Sequence, residues 1–172
     1  MKQINIAILG FGFMGKVYSL ASDSIKHFFP DIPKVNVKAV LVSERTSLNQ
    51  IAGLKKRYGF EIVTKDYNEI LKDNEIDAIY IATPNNFHFK QIKLAIKNNK
   101  HILCDKPMVL SADESYEILE IKKDKPNLIL NSVFEYRYIP SILKIKNLIK
   151  SDKLGELIQF RCSYLHGSYV SQ

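Results

Sequence analysis

Short apolar runs alternate with segments of helical period along the first 132 residues of this 172-residue chain. Strands are predicted at residues 4–9, 35–42, 61–64, 78–82, 101–104 and 128–132. Helices are predicted at 15–28, 47–58 and 87–98, with a brief one from Tyr67 and a longer one from Ser111 to near Lys125. Consecutive β-α units of this kind favour a parallel sheet with helices on both faces. The sequence therefore predicts an α/β fold built on a doubly wound parallel sheet.

Two of the predicted helices begin with a capping pattern. Asp66 precedes one helix and Ser111 precedes another, and each is followed three residues later by a glutamate, Glu69 and Glu114. In a capping box the first side chain accepts a hydrogen bond from the third helical residue, whose own side chain bonds back. We therefore expect a capping box at both starts.

The β-α rhythm ends near residue 132. A helix is predicted at residues 138–150, with Pro140 tolerated in its first turn, and a strand at residues 157–165, where apolar and polar side chains alternate. Alternation is typical of a half-buried antiparallel strand, so this segment belongs to a different sheet. The sequence predicts one domain at residues 1–132 and the start of an incomplete α+β domain at residues 133–172.

Composition restricts the class of protein. The formal charge of +7 comes from lysines scattered along the chain, which does not favour a nucleic-acid partner. No apolar run approaches the ~20 residues of a membrane span, and the N-terminus does not resemble a secretory signal, so we predict a cytoplasmic protein without membrane contact. Cys104 and Cys162 have no neighbouring ligands at metal spacing, and no metal site is predicted.

A glycine-rich turn follows the first predicted strand and opens the first predicted helix. It consists of Gly10, Phe11, Gly12, Phe13, Met14 and Gly15. In a G-x-G-x-x-G turn the first glycine permits the tight turn, the second lets the backbone approach a pyrophosphate, and the third allows close packing of helix and strand. The turn in this position predicts a Rossmann domain that binds NAD or NADP.

The end of the second strand bears on the choice between these two cofactors. An acidic residue there usually binds the ribose hydroxyls of NAD, whereas an arginine accommodates the 2′-phosphate of NADP. If Ser43 holds this position, Ser43, Arg45 and Thr46 would favour NADP. A shift of one residue would place Glu44 on the ribose and favour NAD.

Two further motifs lie at predicted strand ends, where ligands bind in open α/β sheets. They are Ala82-Thr83-Pro84 with His88, and Asp105-Lys106-Pro107. Together with the glycine turn, Tyr136-Arg137-Tyr138 and the Leu154-Gly155 turn, they resemble the Gfo/Idh/MocA family of oxidoreductases over the whole chain.

That resemblance implies roles for individual residues. Thr83, Pro84, Asn85 and His88 would line the cofactor groove, and Pro107 and Arg137 would complete the cofactor-binding set. Asp105 and Lys106 would lie near the nicotinamide ribose and the substrate hydroxyl. Lys106 would be catalytic, since an ammonium there can hydrogen-bond the reacting oxygen and favour its deprotonated form. Asp105 departs from the glutamate of the family pattern and is one methylene shorter.

The resemblance further implies hydride transfer between nicotinamide and a sugar, cyclitol or related polyol, in a protein that is a homo-oligomer at full length. The D-x-x-x-H-like motif that supplies the acid/base histidine of the family does not follow, and His166 is interpreted as a solvent-exposed tail residue. The alternative is a non-catalytic NAD(P)-binding module, or an inactive shortened protein that needs a partner chain. Its exposed strand at residues 157–165 would invite pairing with another chain.

Overall fold

The computed structural model describes residues 3–165 and confirms the doubly wound parallel sheet. The strands are β1 (Gln3–Leu9), β2 (Lys34–Leu41), β3 (Ile62–Thr64), β4 (Ala78–Ile81), β5 (His101–Cys104) and β6 (Leu130–Ser132). The helices are α1 (Phe13–Phe28), α2 (Leu48–Tyr58), α3 (Tyr67–Lys72), α4 (Asn85–Lys97), α5 (Ala112–Lys123) and α6 (Pro140–Lys150), with a 3-10 turn at Glu135–Tyr138 before α6.

The six strands are parallel and lie in the order β3-β2-β1-β4-β5-β6. The chain thus builds outward from β1 to β3, returns to the other side of β1, and builds outward again from β4 to β6. β1 and β4 are neighbours at the point where the order reverses. In open α/β sheets this point forms a crevice at the carboxyl ends of the strands.

Alternate side chains of the central strands enter two separate hydrophobic cores. Ala7 and Leu9 of β1 join Ile79 and Ile81 of β4 in the core that α3, α4 and α5 cover. Ile8 lies on the opposite face, in the core that includes Val40, Phe60 and Tyr80 and that α1 and α2 cover. Strands buried on both faces explain why the sequence shows continuous apolar runs rather than alternation.

The two expected capping boxes differ from the prediction in their details. The Asp66 carboxylate accepts from the Asn68 N–H at 2.9 Å, and its own N–H donates to Thr64 Oγ1 at 3.0 Å, which leaves no backbone donor for Glu69. Ser111 accepts from the Glu114 N–H at 3.2 Å, but the Glu114 carboxylate accepts from Leu110, one residue before the cap. A full capping box occurs instead at α2, between Ser47 and Gln50.

A cluster of charges lies at the amino-terminal side of the sheet. Lys38 of β2 is buried and forms ion pairs with Glu75 and, at 3.0 Å, with Asp73. These hydrogen bonds raise the pKa of Lys38. Burial opposes ionisation of Asp73, but the Lys38 ammonium and the Glu75 N–H together keep the pKa of Asp73 below its usual range. The cluster therefore ties β2 to the segment that leads into β4.

Two compact units divide the chain between Val133 and Phe134, one residue after the boundary expected from sequence. In the second unit α6 begins with Pro140 in its first turn, as predicted.

The strand predicted at residues 157–165 is wrong: this segment has no regular structure, and the side chains of Ile158 and Leu165 are more than nine-tenths exposed. A strand needs a hydrogen-bonded partner, and the described part of this unit holds no other strand.

Neither a membrane-spanning helix nor a metal-binding cluster occurs among the described residues. None of the helices within residues 3–165 combines the length and the apolar character needed to cross a membrane. The same residues contain no group of three His, Cys, Asp or Glu side chains placed to hold a metal ion. His166, interpreted above as a tail residue, lies outside the described residues.

Candidate functional site

A cleft of about 1140 Å³ opens at the carboxyl ends of the strands in the first unit. It lies where β1 and β4 are neighbours, and the loops that follow β1, β2, β4 and β5 contribute to it. Its lining includes Gly10, Phe11, Gly12, Met14, Lys16, Ser43, Glu44, Thr46, Arg57, Tyr58, Lys65, Thr83, Pro84, Phe87, Gln91 and Asp105. The sheet topology thus brings together most of the residues that the sequence singled out.

Two glycines of the β1 loop have no room for a side chain. Gly10 has φ +90°, and a Cβ there would lie 2.7 Å from the carbonyl oxygen of Ala82 at the end of β4. A Cβ at Gly15 would lie 2.2 Å from the carbonyl oxygen of Gly10. The loop therefore packs against both α1 and β4, and any side chain at these positions would displace backbone.

Gly12 has different surroundings. A Cβ at this residue would meet nothing within 4 Å, and its φ of −77° is open to any residue. The free protein therefore does not require glycine here. The space over Gly12 belongs to the cleft, at the first turn of α1.

The helices of the first unit fall into two groups by how they begin. Side chains of Ser47, Asp66 and Ser111 cap α2, α3 and α5. The starts of α1 and α4, at Gly12 and Pro84, have no side-chain cap, and both residues line the cleft. The first N–H groups of a helix carry partial positive charge and need acceptors. Two such groups of donors therefore adjoin the same cleft.

Aromatic packing anchors the β1 loop. The Phe11 ring lies edge-to-face against Tyr58 at 5.1 Å and against Phe60 at 5.2 Å between ring centroids. Tyr58 and Phe60 stack on each other, and the Arg57 guanidinium lies 5.5 Å from the centre of the Tyr58 ring. Phe11 thus joins the glycine loop to the end of α2. Phe11 was predicted from the sequence only as a cofactor contact, and its role in anchoring the loop was not predicted.

The chain after β2 forms a compact turn in which Ser43 accepts two hydrogen bonds. Its hydroxyl accepts from the Arg45 N–H at 3.3 Å, and its carbonyl accepts from the Thr46 N–H at 3.0 Å. Ser43 and Glu44 line the cleft, whereas Arg45 is not among the lining residues. The Lys65 ammonium, one residue past β3, donates to the Glu44 carbonyl at 2.7 Å.

Three cleft cations were missed by the sequence analysis, namely Lys16, Arg57 and Lys65. Lys65 could have been found, because it follows a predicted strand as the other candidates do. Arg57 lies in the last turn of α2, far in sequence from the strand ends, and it reaches the cleft through the packing of that helix. With the anions Glu44 and Asp105, these cations leave the described lining positively charged.

The loop after β4 is held by side chains of α4. The Thr83 hydroxyl donates to Gln91 Oε1 at 2.6 Å, and the Tyr67 hydroxyl donates to the Gln91 carbonyl at 3.0 Å. Gln91 is 8% exposed, and burial raises the pKa of Tyr67. Thr83 and Pro84 line the cleft, while Asn85 is the exposed first residue of α4 and lies outside the lining.

His88 does not line the cleft. The side chain is fully buried, with Nδ1 2.8 Å from the Pro107 carbonyl and Nε2 2.8 Å from the Thr83 carbonyl. It shares the inward face of α4 with Ile92 and Ala95, which are also fully buried. The helix phase therefore turns this ring toward the sheet, behind the loops that the sequence expected it to join.

The loop after β5 carries the Asp105-Lys106-Pro107 motif. Asp105 lines the cleft, and its carboxylate accepts from the Lys106 N–H at 3.0 Å. Lys106 and Pro107 are exposed, are joined by a cis peptide bond, and are not among the lining residues. Burial raises the pKa of the neighbouring Cys104 to about 12, so this thiol is not a nucleophile at neutral pH.

Two predicted cofactor residues remain, Phe13 and Arg137. Phe13, at the start of α1, is 79% exposed and is not a lining residue. Arg137 belongs to the second unit, where its guanidinium lies 5.5 Å from the centre of the Phe134 ring. Their cofactor contacts remain predictions.

The family comparison agrees with this geometry. Residues 4–132 match the model of an oxidoreductase family with an NAD-binding Rossmann fold, Gfo/Idh/MocA. The chain is 34% identical over 165 residues to a levoglucosan dehydrogenase from Pseudarthrobacter phenanthrenivorans, which covers 96% of this chain and 42% of that protein. It is 31% identical over 93 residues to a D-xylose 1-dehydrogenase (NADP(+)) from Hypocrea jecorina, covering 54% of this chain and 24% of that protein.

Solved structures give the same picture. A levoglucosan dehydrogenase in complex with NADH and levoglucosan superposes with a TM-score of 0.81 at 32% identity, covering 90% of this chain and 41% of the other. A scyllo-inositol dehydrogenase from Lactobacillus casei with bound NAD(H) and scyllo-inositol gives 0.77 at 26% identity, covering 90% and 43%. The chain thus spans less than half the length of these relatives.

Proposed function

Because the chain belongs to the Gfo/Idh/MocA oxidoreductase family, we propose that it forms the nucleotide-binding part of an NAD(P)-dependent dehydrogenase. The proposed substrate is a sugar, a cyclitol or a related polyol. The single observation that carries the proposal is the empty space over Gly12 at the uncapped start of α1, inside the cleft. A cytoplasmic location and a homo-oligomeric assembly remain predictions of the sequence.

The geometry at Gly12 suits a pyrophosphate. The first N–H groups of α1 lack a side-chain acceptor, and a helix of 16 residues presents its positive end there. Gly12 keeps the approach to these donors open, while Gly10 and Gly15 are needed by the fold of the loop itself. A dinucleotide would thus lie across the β1-β4 crevice with its phosphates at α1.

The two halves of a dinucleotide would then lie on opposite sides of β1. The β1-β2-β3 side, with Ser43 and Glu44 at the end of β2, corresponds to the adenosine half. The β4-β5-β6 side, with Thr83 and Asp105, is left for the nicotinamide half. When bound, the nicotinamide supplies the hydride donor or acceptor. Lys106 would hydrogen-bond the reacting oxygen of the substrate, and its positive charge would favour the alkoxide form of that oxygen.

The charges at the adenosine side favour NADP over NAD. If Ser43 holds the position at which many NAD-binding domains carry a carboxylate, its hydroxyl would not repel a 2′-phosphate, and Lys65 and Arg57 bring two cations to the cleft. The Glu44 carboxylate opposes a 2′-phosphate, but the Lys65 ammonium, which donates to the main-chain carbonyl of Glu44, brings a positive charge to the same end of the cleft. Lys65 and Arg57 are therefore the proposed counter-charges, in place of the Arg45 that the sequence suggested.

A binding experiment tests the proposal. NADH and NADPH would each be titrated against the chain by nicotinamide fluorescence and by calorimetry, with Gly12→Val as the variant. Valine fits the free protein at this position, so the fold should persist by circular dichroism while binding is lost. Ala21→Val on the exposed side of α1 is the matched control and should bind as the parent does. A parent chain that binds neither coenzyme would remove the basis of the proposal.

The same titration tests the cofactor preference. Lys65→Gln and Arg57→Gln should each weaken NADPH relative to NADH roughly tenfold, because each removes a charged hydrogen-bond donor from the phosphate. Lys55→Gln, exposed on α2 and outside the cleft, should leave the ratio unchanged, and Arg45→Gln should change it less than Lys65→Gln. A parent that prefers NADH, with a ratio unaffected by Lys65→Gln, would contradict the assignment of NADP.

Substrate class is tested by incubating the chain with oxidised cofactor and a panel of sugars and cyclitols. Appearance of reduced nicotinamide with any member would identify the substrate class. Binding of cofactor without reduction across the panel would favour a non-catalytic nucleotide-binding module.

A further inference from the structure

We infer that His88 is a positioning residue that fixes the Asp105–Lys106 loop against the Thr83 loop and so shapes the nicotinamide side of the cleft. The inference rests on the proposed function, because it concerns how one half of a bound dinucleotide is held. The sequence placed His88 in the groove itself, whereas the ring lies behind the groove with no exposed surface.

The imidazole ring of His88 bridges two loops that are far apart in the sequence. Its Nε2 lies 2.8 Å from the carbonyl of Thr83, which follows β4, and its Nδ1 lies 2.8 Å from the carbonyl of Pro107, which follows β5. Pro107 comes directly after Lys106, the residue proposed to contact substrate. One side chain therefore sets the spacing between the loops at the ends of two neighbouring strands.

Carbonyl oxygens only accept hydrogen bonds, and the ring meets one on each side. A neutral imidazole donates from a single nitrogen, and the imidazolium form donates from both. An apolar residue here would remove the hydrogen-bond donor that the ring supplies between these carbonyls, and a polar group that loses its partner shifts or recruits water to recover one. The expected consequence is a displacement of the Pro107 side, since Thr83 keeps a second contact with α4 through Gln91.

The rival explanation is that His88 only fills space in the core beside Ile92. The two explanations differ in which part of a ligand they affect. Loss of packing would weaken the whole chain and all ligands alike, whereas loss of the link would affect only ligands that reach the β4-β5 side. ADP-ribose shares the adenosine, pyrophosphate and ribose of NADH but lacks the nicotinamide, so the pair of ligands separates them.

The experiment compares the dissociation constants of NADH and ADP-ribose for the parent chain and for His88→Leu, below the unfolding transition of each. We expect His88→Leu to weaken NADH roughly tenfold and to change ADP-ribose less than about twofold, with loss of the blue shift of bound NADH fluorescence. His101→Leu is the matched control: this ring accepts from the Ile129 N–H at the opposite end of β5, and the ratio should stay as in the parent.

A second variant covers the case in which His88→Leu does not fold. His88→Asn keeps one amide donor and should give a ratio between those of the parent and the full loss. Equal weakening of both ligands in either variant, or no weakening, would overturn the positioning role while leaving the proposed function standing. A parent chain that binds neither of these ligands and does not bind NADPH either would overturn the proposed function and this inference with it.

Discussion

The two halves of the sheet hold their cleft loops by different means. On the β1-β2-β3 side, close backbone packing of Gly10 and Gly15 against neighbouring carbonyls and the tight turn at Ser43 hold the loops, and the Phe11 ring anchors the glycine loop to the end of α2. On the β4-β5-β6 side they are fixed by the buried polar side chains of His88 and Gln91 on α4. The first side therefore presents N–H groups and the cations of Arg57 and Lys65, and the second presents a loop surface set by a buried network.

This difference matches what each side has to recognise in the proposed ligand. A pyrophosphate is bound well by any cluster of N–H groups at close approach, so a backbone device suffices. A nicotinamide ring and the carbon that exchanges hydride with it need a defined mutual orientation, since errors of about 1 Å are costly for transfer. Side-chain hydrogen bonds that lock two loops together supply that orientation. Substitutions can disrupt each of these two kinds of loop support separately.

The largest effect is expected from Gly15→Val. The new Cβ would lie 2.2 Å from the Gly10 carbonyl, and relief requires α1 or the β1 loop to move. We expect a loss of about 3 kcal/mol or more in unfolding free energy by urea denaturation, at the upper end of the range for overpacking. Gly53→Val, at a helical position with nothing within 4 Å, should change stability by less than about 1 kcal/mol. Similar losses for the two variants would contradict a backbone-fixed first half.

A smaller effect is expected from Gln91→Leu on the other side. It leaves the Thr83 hydroxyl without its acceptor, which should cost about 1–3 kcal/mol. Thr83→Val removes the other member of the pair, and the double variant should lose less than the sum of the two single changes because the interaction is shared. Additive losses in this cycle would show that the pair is not coupled, and the second half would then need another explanation.

The smallest effect is expected from Asp73→Asn, which lies away from both sets of loops. Because hydrogen bonds lower the folded-state pKa of Asp73, its contribution to stability is present above the ordinary aspartate value of about 4 and is lost as pH falls through the folded value. Parent and variant should therefore differ by about 1 kcal/mol at pH 7 and converge in acid. A gap that persists at low pH would contradict this, and a change in the NADH to ADP-ribose ratio would show that the cluster influences the cleft.

The same contrast explains how far the sequence could be interpreted. The parallel sheet and the glycine turn can be predicted because apolar runs and glycine spacing are signals within single segments, whereas the strand order depends on which strands pair and was not predicted. The Ala82-Thr83-Pro84 and His88 motif suggested that His88 lines the groove, but the helical phase of α4 turns its side chain toward the sheet. Its spacing of four and seven from Ile92 and Ala95 puts it on the buried face of α4, and that signal was available.

Other features depend on contacts that no single segment encodes. Arg57 lines the cleft from the last turn of α2, which depends on how that helix packs, and Lys65 does so because β3 is the neighbour of β2. The alternation at residues 157–165 indicates a strand, but a strand forms only against a partner, and none is present in the described part of the second unit. The alternating pattern indicates that the segment favours a strand, but without a neighbouring strand in the described part of this unit it does not form one.

The close approach of Gly10 to the Ala82 carbonyl matters for engineering this loop. The first glycine of the turn is dictated by the neighbouring strand's terminus as well as by the bend of its own chain. A graft that moves β1, the turn and α1 into another scaffold would carry only part of what shapes the turn. The transferable piece includes the end of β4, three crossovers away from β1 in the chain, so shuffling of homologous fragments should preserve these segments as a matched set.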